Sequence, residues 1–93
     1  KRFRDLCAAR GVAMMFADSW GSDIMSAAIA HLAHSTPEHL RLWCGDFRTY
    51  VTVTTADGGA ARLKAAVAAT EAPGLGLAPR FDVLGETLVD MRA

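Results

Sequence analysis

The sequence predicts an α/β fold that is organised around one strand–helix–strand unit between residues 11 and 47. The stretch 11–17 is apolar at nearly every position, which is typical of a strand covered on both faces in a parallel sheet. An alanine-rich stretch of helical composition covers 24–34, and a second apolar run covers 40–44. Two parallel strands joined by a helix form a right-handed crossover.

The first two elements follow from local patterns. A helix is expected over residues 1–10, because its apolar residues fall on one face, and Gly11 supplies its stop. A strand is expected over 11–18 and ends at Asp18. The chain begins inside a helical pattern without a cap, so we expect it to be the C-terminal part of a longer polypeptide.

The connecting helix is expected over residues 22–35. Ser22 is suited to the N-cap, because its hydroxyl can accept a backbone N–H of the first turn. Asp23 lies in that turn, where the helix dipole favours a negative charge. Pro37 stops the helix, and a second strand is expected over 39–46.

The second half of the chain, residues 48–93, is less regular. Alternating β-branched residues predict a strand over 50–55, and Asp-Gly-Gly predicts a turn over 57–59. Residues 60–70 have a helical composition, but a glycine-rich break follows them. A last short strand is expected over 87–91.

Composition limits the partners that this chain can have. Its 93 residues suffice for one small domain of modest stability. A hydrophobic content of 52% is high for such a domain, which indicates that further protein packs against it. Ten basic and ten acidic side chains balance, which favours neither a nucleic-acid nor a membrane partner. No membrane-length apolar run or signal peptide is visible, so a cytoplasmic protein is expected.

No metal site is predicted from the residues themselves. Cys7 and Cys44 lack C-x-x-C spacing, so buried free thiols are expected rather than a disulfide or a zinc site. His31 and His34 lie three residues apart on a helix, which is not the usual spacing of a zinc pair. We expect His31 to hydrogen-bond inside the packed interface and His34 to face solvent.

The candidate site lies at the strand ends, because ligands of parallel α/β folds bind there. Asp18 and Asp46 each end a strand and either bind a substrate amine or hydroxyl, or cap a helix or pair with an arginine. Trp20 is either an aromatic wall that attracts a cationic substrate or a cover for the core edge. Phe47 is open between the same roles, whereas Trp43 is expected to pack.

Five motifs occur in a characteristic order and spacing: D-S-W-G-S-D-I at 18–24, A-A-I-A-H-L-A-H-S-T-P at 27–37, G-D-F at 45–47, P-G-L-G-L at 73–77 and R-F-D-V-L-G-E at 80–86. Together they resemble the C-terminal end of the mandelate racemase/muconate lactonizing branch of the enolase superfamily. Within that branch they are most similar to cis-3-hydroxy-L-proline dehydratases and proline-derivative racemases.

The resemblance implies the C-terminal βαβ segment of a modified TIM (β/α)7β barrel. Residues 1–47 would be the last helix and strand units of the barrel, and residues 48–93 an extension that completes the capping domain. The corresponding family stretch is mostly extended, so the resemblance favours an extended conformation at 60–70. A TIM barrel needs roughly 250 residues. The remainder of the barrel, on the same or another chain, is therefore the expected partner, and a homo-oligomer is implied at full length.

The resemblance also implies a chemistry. Such enzymes abstract the α-proton of a small carboxylate, here a hydroxyproline or proline betaine, and Mg²⁺ stabilises the enediolate that forms. Dehydration or racemisation/epimerisation follows. The family's Lys-x-Lys motif and three acidic ligands are not in this sequence, so Mg²⁺ would be bound by the N-terminal part of the barrel and the chain would be inactive alone.

The resemblance favours the substrate-binding role for Asp18. Trp20, Asp46 and Phe47 are further substrate-binding candidates from their positions at the strand ends, and none of the four residues is expected to be catalytic. Two other interpretations stay open. One is a non-catalytic truncated remnant, and the other is a small α/β domain that binds a ligand or a partner. The high apolar content and the start inside a helix argue against the independent domain.

Overall fold

The computed structural model describes residues 1–18, 21–45, 50–63 and 66–91. Its helices are α1 (Arg2–Ala9), α2 (Asp23–His34) and α3 (Phe81–Leu84). Its strands are β1 (Met14–Ala17), β2 (Arg41–Gly45), β3 (Ala56–Gly58), β4 (Ala61–Leu63), β5 (Ala66–Ala68) and β6 (Leu77–Pro79). A 3-10 turn, Glu38–Leu40, precedes β2. In the described part of the chain, no helix has both the length and the apolar character to cross a bilayer.

The crossover unit has the predicted parallel arrangement. Strands β1 and β2 are parallel neighbours, and α2 connects them. The helix covers one face of the strand pair, and the core between them contains Met14, Phe16, Ala33 and Leu40. Burial along β1 alternates, so Met15 is 67% exposed. Cover on both faces, as predicted, is therefore not provided by the described residues, because α2 reaches only one side.

The first strand begins at Met14, three residues later than predicted, because a helix-capping motif occupies the residues after α1. Gly11 has a φ of 66°, and its N–H bonds to Ala8 O at 3.1 Å. The N–H of Val12 bonds to Cys7 O at 2.9 Å. This double closure is a Schellman motif, which needs a left-handed residue at the position of Gly11. It shortens the strand predicted over 11–18.

Helix α2 begins where the sequence predicts, but among the described residues the hydroxyl of Ser22 does not make the capping hydrogen bond that was expected there. Ser22 is the N-cap residue with extended backbone (φ −76°, ψ 177°), yet its hydroxyl makes no capping bond within the described part of the chain. The predicted capping role of the Ser22 side chain is therefore wrong. The carboxylate of Asp23 turns away from the helix axis to Thr55, in the second half of the chain.

The other end of α2 is tied to α1 by a buried arginine. Arg4 is 8% exposed, and its Nη1 donates to the carbonyl oxygen of Ser35 at 2.6 Å and to its hydroxyl at 2.8 Å. A cation at a helix C-terminus is favoured by the helix dipole as well as by these bonds. Arg4 thus fixes the two helices relative to each other.

The extension, which we define as residues 50–91, forms two antiparallel pairs. Strand β3 pairs with β6, and β4 pairs with β5; both β5 and β6 contact α2. The extended conformation favoured for 60–70 is confirmed by β4 and β5 in the described part of that range, and residues 64 and 65 lie outside it. A close backbone approach shapes the β3–β6 pair, since a Cβ at Gly58 would lie 2.7 Å from Gly76 O.

Two predictions for the extension are wrong, and a third, the turn at 57–59, is shifted by one or two residues. The described residues 50–55 contain no strand, because the backbone of Thr55 bonds to Asp23 and Arg80 instead of to a neighbouring strand. The turn predicted over 57–59 begins inside β3. Residues 87–91 form no strand and pair with none of the described strands; Leu88, for example, is 92% exposed.

Candidate functional site

Asp18 follows the last residue of β1 and is buried, with 4% of its surface exposed. Its Oδ2 accepts a hydrogen bond from the hydroxyl of Ser26, at 3.2 Å, and Ser26 is equally buried. Ser26 belongs to the first turn of α2, so the helix start fixes the carboxylate at the end of the strand. The geometry places Asp18 at the predicted carboxyl end of β1.

The approach of this turn to the helix requires a glycine at position 21. A Cβ at Gly21 would lie 3.2 Å from Asp18 Oδ2 and would collide with the side chain of Met25. A larger residue would therefore push the turn away from α2 and disturb the contact of Asp18 with Ser26. The sequence motif D-S-W-G-S-D thus contains a packing requirement as well as candidate ligands.

Three of the four predicted site residues lie outside the described residues: Trp20, Asp46 and Phe47. The residues just before the two aspartates are described, and Ala17 and Gly45 are register partners in the parallel pair. The two strands therefore end side by side. The roles of Trp20, Asp46 and Phe47 in substrate binding stay predictions.

The face of the strand pair that points away from α2 contains Met15, Ala17, Trp43 and Gly45, as the register and the alternation require. The ring of Trp43 lies against Gly45, where a Cβ would collide with it. Trp43 nevertheless remains 48% exposed, so the packing expected for it is only partly provided by the described residues. This uncovered apolar face is called the inner face below.

Asp23, which is 5% exposed, makes a long-range contact that was not predicted from the sequence. Its Oδ2 accepts the backbone N–H of Thr55 at 2.7 Å and the Thr55 hydroxyl at 3.1 Å. The only local signal at position 23 was the helix dipole, which predicts a role within α2. The partner lies 32 residues away, and no pattern in the sequence indicates it.

No three His, Cys, Asp or Glu side chains are grouped as metal ligands in the described ranges. Cys7 and Cys44 form no disulfide and are half-buried against the core. His34 is exposed, as predicted. The Nε2 atom of His31 is buried without a hydrogen-bond partner among the described residues, so the bond expected there is not observed.

Two clefts lie away from Asp18. One, of about 260 Å³, opens between α1, β1 and α2, and its apolar lining includes Phe3, Met15 and Phe16. The other, of about 350 Å³, lies between α2, β2 and β5, beside Arg41 and His34. The guanidinium of Arg41 donates to Ala33 O at 3.1 Å, so this cation serves the helix end.

The chain is similar to a cis-3-hydroxy-L-proline dehydratase from Roseibium aggregatum, with 49% identity over 86 residues. That match covers 92% of this chain and 23% of the dehydratase. No protein-family model matches the chain.

The chain also superposes on part of several solved enzyme structures. A mandelate racemase/muconate lactonizing enzyme from Roseovarius nubinhibens superposes with a TM-score of 0.88 and 37% identity, over 99% of this chain and 25% of that enzyme. A second protein of that bacterium, assigned to the same enzyme group and solved with magnesium, has a TM-score of 0.86 and 40% identity, over 95% of this chain and 24% of its own.

The chain thus spans about a quarter of the length of the relatives that it matches. The agreement of sequence and superposition extends over nearly all of its residues. By sequence and by fold, the chain belongs to the mandelate racemase/muconate lactonizing branch of the enolase superfamily, of which it represents a C-terminal part.

Proposed function

We propose that this chain forms the closing part of a (β/α)7β barrel in an enzyme that removes the α-proton of a small carboxylate substrate, a hydroxyproline or a proline betaine. Dehydration or epimerisation would follow. The observation that carries this proposal is the 49% identity to a cis-3-hydroxy-L-proline dehydratase over 86 residues, which include the parallel crossover.

The exposed surface supports assembly with further protein. The chain exposes 7010 Å², whereas a compact monomer of its mass exposes about 5200 Å². Its radius of gyration is 14.6 Å, against about 12 Å for a compact domain of this length. The excess surface, about 1800 Å², exceeds the roughly 800 Å² that one partner contributes to a standard interface. The remainder of the barrel is the partner that we propose.

The position of the uncovered apolar surface fits this partner. Among the described residues, β1 and β2 pair only with each other, so each has one free edge. Closure into a barrel removes such edges. The inner face, with Met15 67% and Trp43 48% exposed, would then point into the barrel, where side chains fill the interior. Burial of each such side chain contributes about 1.5–3 kcal/mol.

The two halves of the chain are assigned to different parts of the enzyme because one contains parallel strands and the other antiparallel strands. Residues 1–47 would form the last helix and strand units of the barrel, since the parallel pair lies there. Residues 48–93 would return to the capping domain, since their described strands are antiparallel pairs outside that sheet.

The proposed role of the chain is to bind and orient the substrate. Asp18 and Asp46 would attract the substrate ammonium group, and Trp20 with Phe47 would supply aromatic surface for the ring, with cation–π attraction. Burial of Asp18 lowers the effective dielectric around its carboxylate and strengthens its attraction for a cation. These four roles form the testable part of the site proposal.

Magnesium and the proton-abstracting base would come from other parts of the barrel. The described residues offer no cluster of three metal ligands. A related protein has been solved with magnesium, which supports a metal-dependent reaction for the complete enzyme. When bound, Mg²⁺ would stabilise the negative charge that develops on the substrate carboxylate.

A chimeric enzyme tests the proposal. The matching C-terminal segment of the Roseibium dehydratase is replaced by this chain, and loss of water from cis-3-hydroxy-L-proline is followed with Mg²⁺ present. We expect activity well above that of the same dehydratase truncated before the segment. A folded chimera that neither dehydrates the hydroxyproline nor racemises proline betaine would contradict the proposal and favour a non-catalytic remnant.

A further inference from the structure

We infer that Asp23 is a positioning residue, which couples the extension to the turn that carries the candidate substrate-binding aspartate. This inference rests on the proposed function, because it assigns Asp23 an effect on substrate binding. Asp23 itself is not placed against the substrate. It acts through Thr55 on one side and through the first turn of α2 on the other.

Two hydrogen bonds join the buried carboxylate of Asp23 to Thr55. The carboxylate is 5% exposed, and one of its oxygens receives both the backbone N–H and the hydroxyl of Thr55, at 2.7 and 3.1 Å. Hydrogen bonds to an ionised acceptor are shorter and stronger than neutral ones. Loss of the carboxylate would leave a half-buried N–H of the extension without this acceptor.

Thr55 stands at the entry of the β3–β6 pair. Its carbonyl accepts the N–H of Arg80 at 2.9 Å, and the next residue, Ala56, pairs with Pro79. One residue therefore connects Asp23 to both strands of the pair. The same pair then lies along α2, because a Cβ at Gly59 would be 3.6 Å from that of Ala27. Asp23 and Ala27 are one helical turn apart, so the extension follows the helix from its first residue.

The first turn of α2 also holds the candidate site. Ser26, three residues after Asp23, donates its hydroxyl to Asp18. The backbone N–H of the same Ser26 bonds to the carbonyl of Ser22 at 3.0 Å. The turn thus binds the extension through Asp23 and the strand end through Ser26. Displacement of the extension would be transmitted to Asp18 over these few bonds.

A purely local role for Asp23 gives different expectations. If the residue served only to complement the helix dipole, removing the Thr55 hydroxyl would have no effect on exchange or on catalysis. If it clamps the extension, Thr55→Val and Asp23→Ala would weaken the same region, the former less because the Thr55 N–H remains. Thr55→Ser keeps both donors and would preserve the clamp.

The test uses the active chimera and two readouts. In Asp23→Ala, amide hydrogen exchange in peptides covering 55–58 and 77–80 should accelerate at least about tenfold. The KM for cis-3-hydroxy-L-proline should rise at least about fivefold with kcat within about twofold, since uniform substrate binding is lost. Thr55→Val should show smaller changes of both kinds. The matched control is Asp57→Ala, which removes an exposed carboxylate of β3 and should change neither.

The possible outcomes separate the two proposals. Unchanged exchange in both Asp23→Ala and Thr55→Val would overturn the clamp. Faster exchange with an unchanged KM would overturn the coupling to the site but leave the proposed function intact. An inactive unmodified chimera would overturn the proposed function and, with it, any effect of Asp23 on substrate binding. Should Asp23→Ala fail to fold, Thr55→Val decides the question by the same criteria.

Discussion

The crossover unit together with helix α1 (residues 1–45) and the extension (residues 50–91) are stabilised in different ways. The crossover buries a core of side chains from two strands and a helix, with Met14 and Phe16 at its centre. The buried hydrophobic residues of the described extension are two alanines, Ala56 and Ala60. Backbone pairing and the bonds to α2 hold the extension instead. Its order should therefore depend on the crossover, and the reverse dependence should be weak.

The largest expected effect comes from the crossover core. Phe16 is 7% exposed, so Phe16→Ala should lower the free energy of unfolding by about 3–5 kcal/mol and remove the support of the extension as well. Urea unfolding of the chimera, followed by tryptophan fluorescence, measures the change. The control Glu71→Ala removes an exposed polar side chain and should stay within about 0.5 kcal/mol. Similar losses in both variants would argue against a core centred on Phe16.

Next in size is the tie between α1 and α2. Arg4→Ala removes two charge-assisted hydrogen bonds to Ser35 and should cost about 1.5–3 kcal/mol. The exposed Arg10 provides the matched control, because Arg10→Ala removes the same charge from the C-cap position of the same helix. Calorimetric unfolding compares the two. Equal stabilities would show that the buried guanidinium adds nothing to the crossover.

A glycine substitution should weaken the extension alone. Gly58 has a φ of 80°, and a Cβ there would lie 2.7 Å from Gly76 O. Gly58→Ala should therefore cost more than the roughly 1–2 kcal/mol of left-handed strain by itself. Gly74→Ala carries the strain without the clash, because its φ is 68° and the space around it is open. Hydrogen exchange over 56–58 should be faster in Gly58→Ala than in Gly74→Ala, while exchange in the crossover core stays unchanged in both.

The smallest effect is expected at the start of α2. An N-cap serine usually contributes about 1 kcal/mol through its hydroxyl. Ser22 makes no such bond within the described chain, so Ser22→Ala should cost less than about 0.5 kcal/mol. Thermal unfolding of the variant checks this value. A loss near 1 kcal/mol would mean that the hydroxyl does cap the helix in solution.

The contrast between the two regions also explains what the sequence could predict. In the crossover, apolar periodicity and the glycine at position 11 are local signals, and they identified α1, β1, α2 and β2 to within a few residues. In the extension, Thr55 belongs to a β-branched run that predicts a strand, but a carboxylate far away in the sequence takes its N–H. A tertiary contact of this kind overrides a weak local preference.

The candidate site was also predicted only in part from the sequence. The end of a parallel strand is a general ligand position, and Asp18 was found by that rule. The rule does not say how the carboxylate is held. The contact of Ser26 with Asp18 and the requirement for Gly21 depend on how closely the turn approaches α2, which only the coordinates show.

Reconstitution from two separate polypeptides tests the central claim most directly. The 93-residue chain is mixed with the Roseibium dehydratase truncated before the matching segment, and dehydration of cis-3-hydroxy-L-proline is measured alongside sedimentation. If the inner face and the free strand edges complete a barrel, a one-to-one complex should form and activity should appear. A chain that sediments as a compact monomer, forms no complex and restores no dehydration would contradict the account.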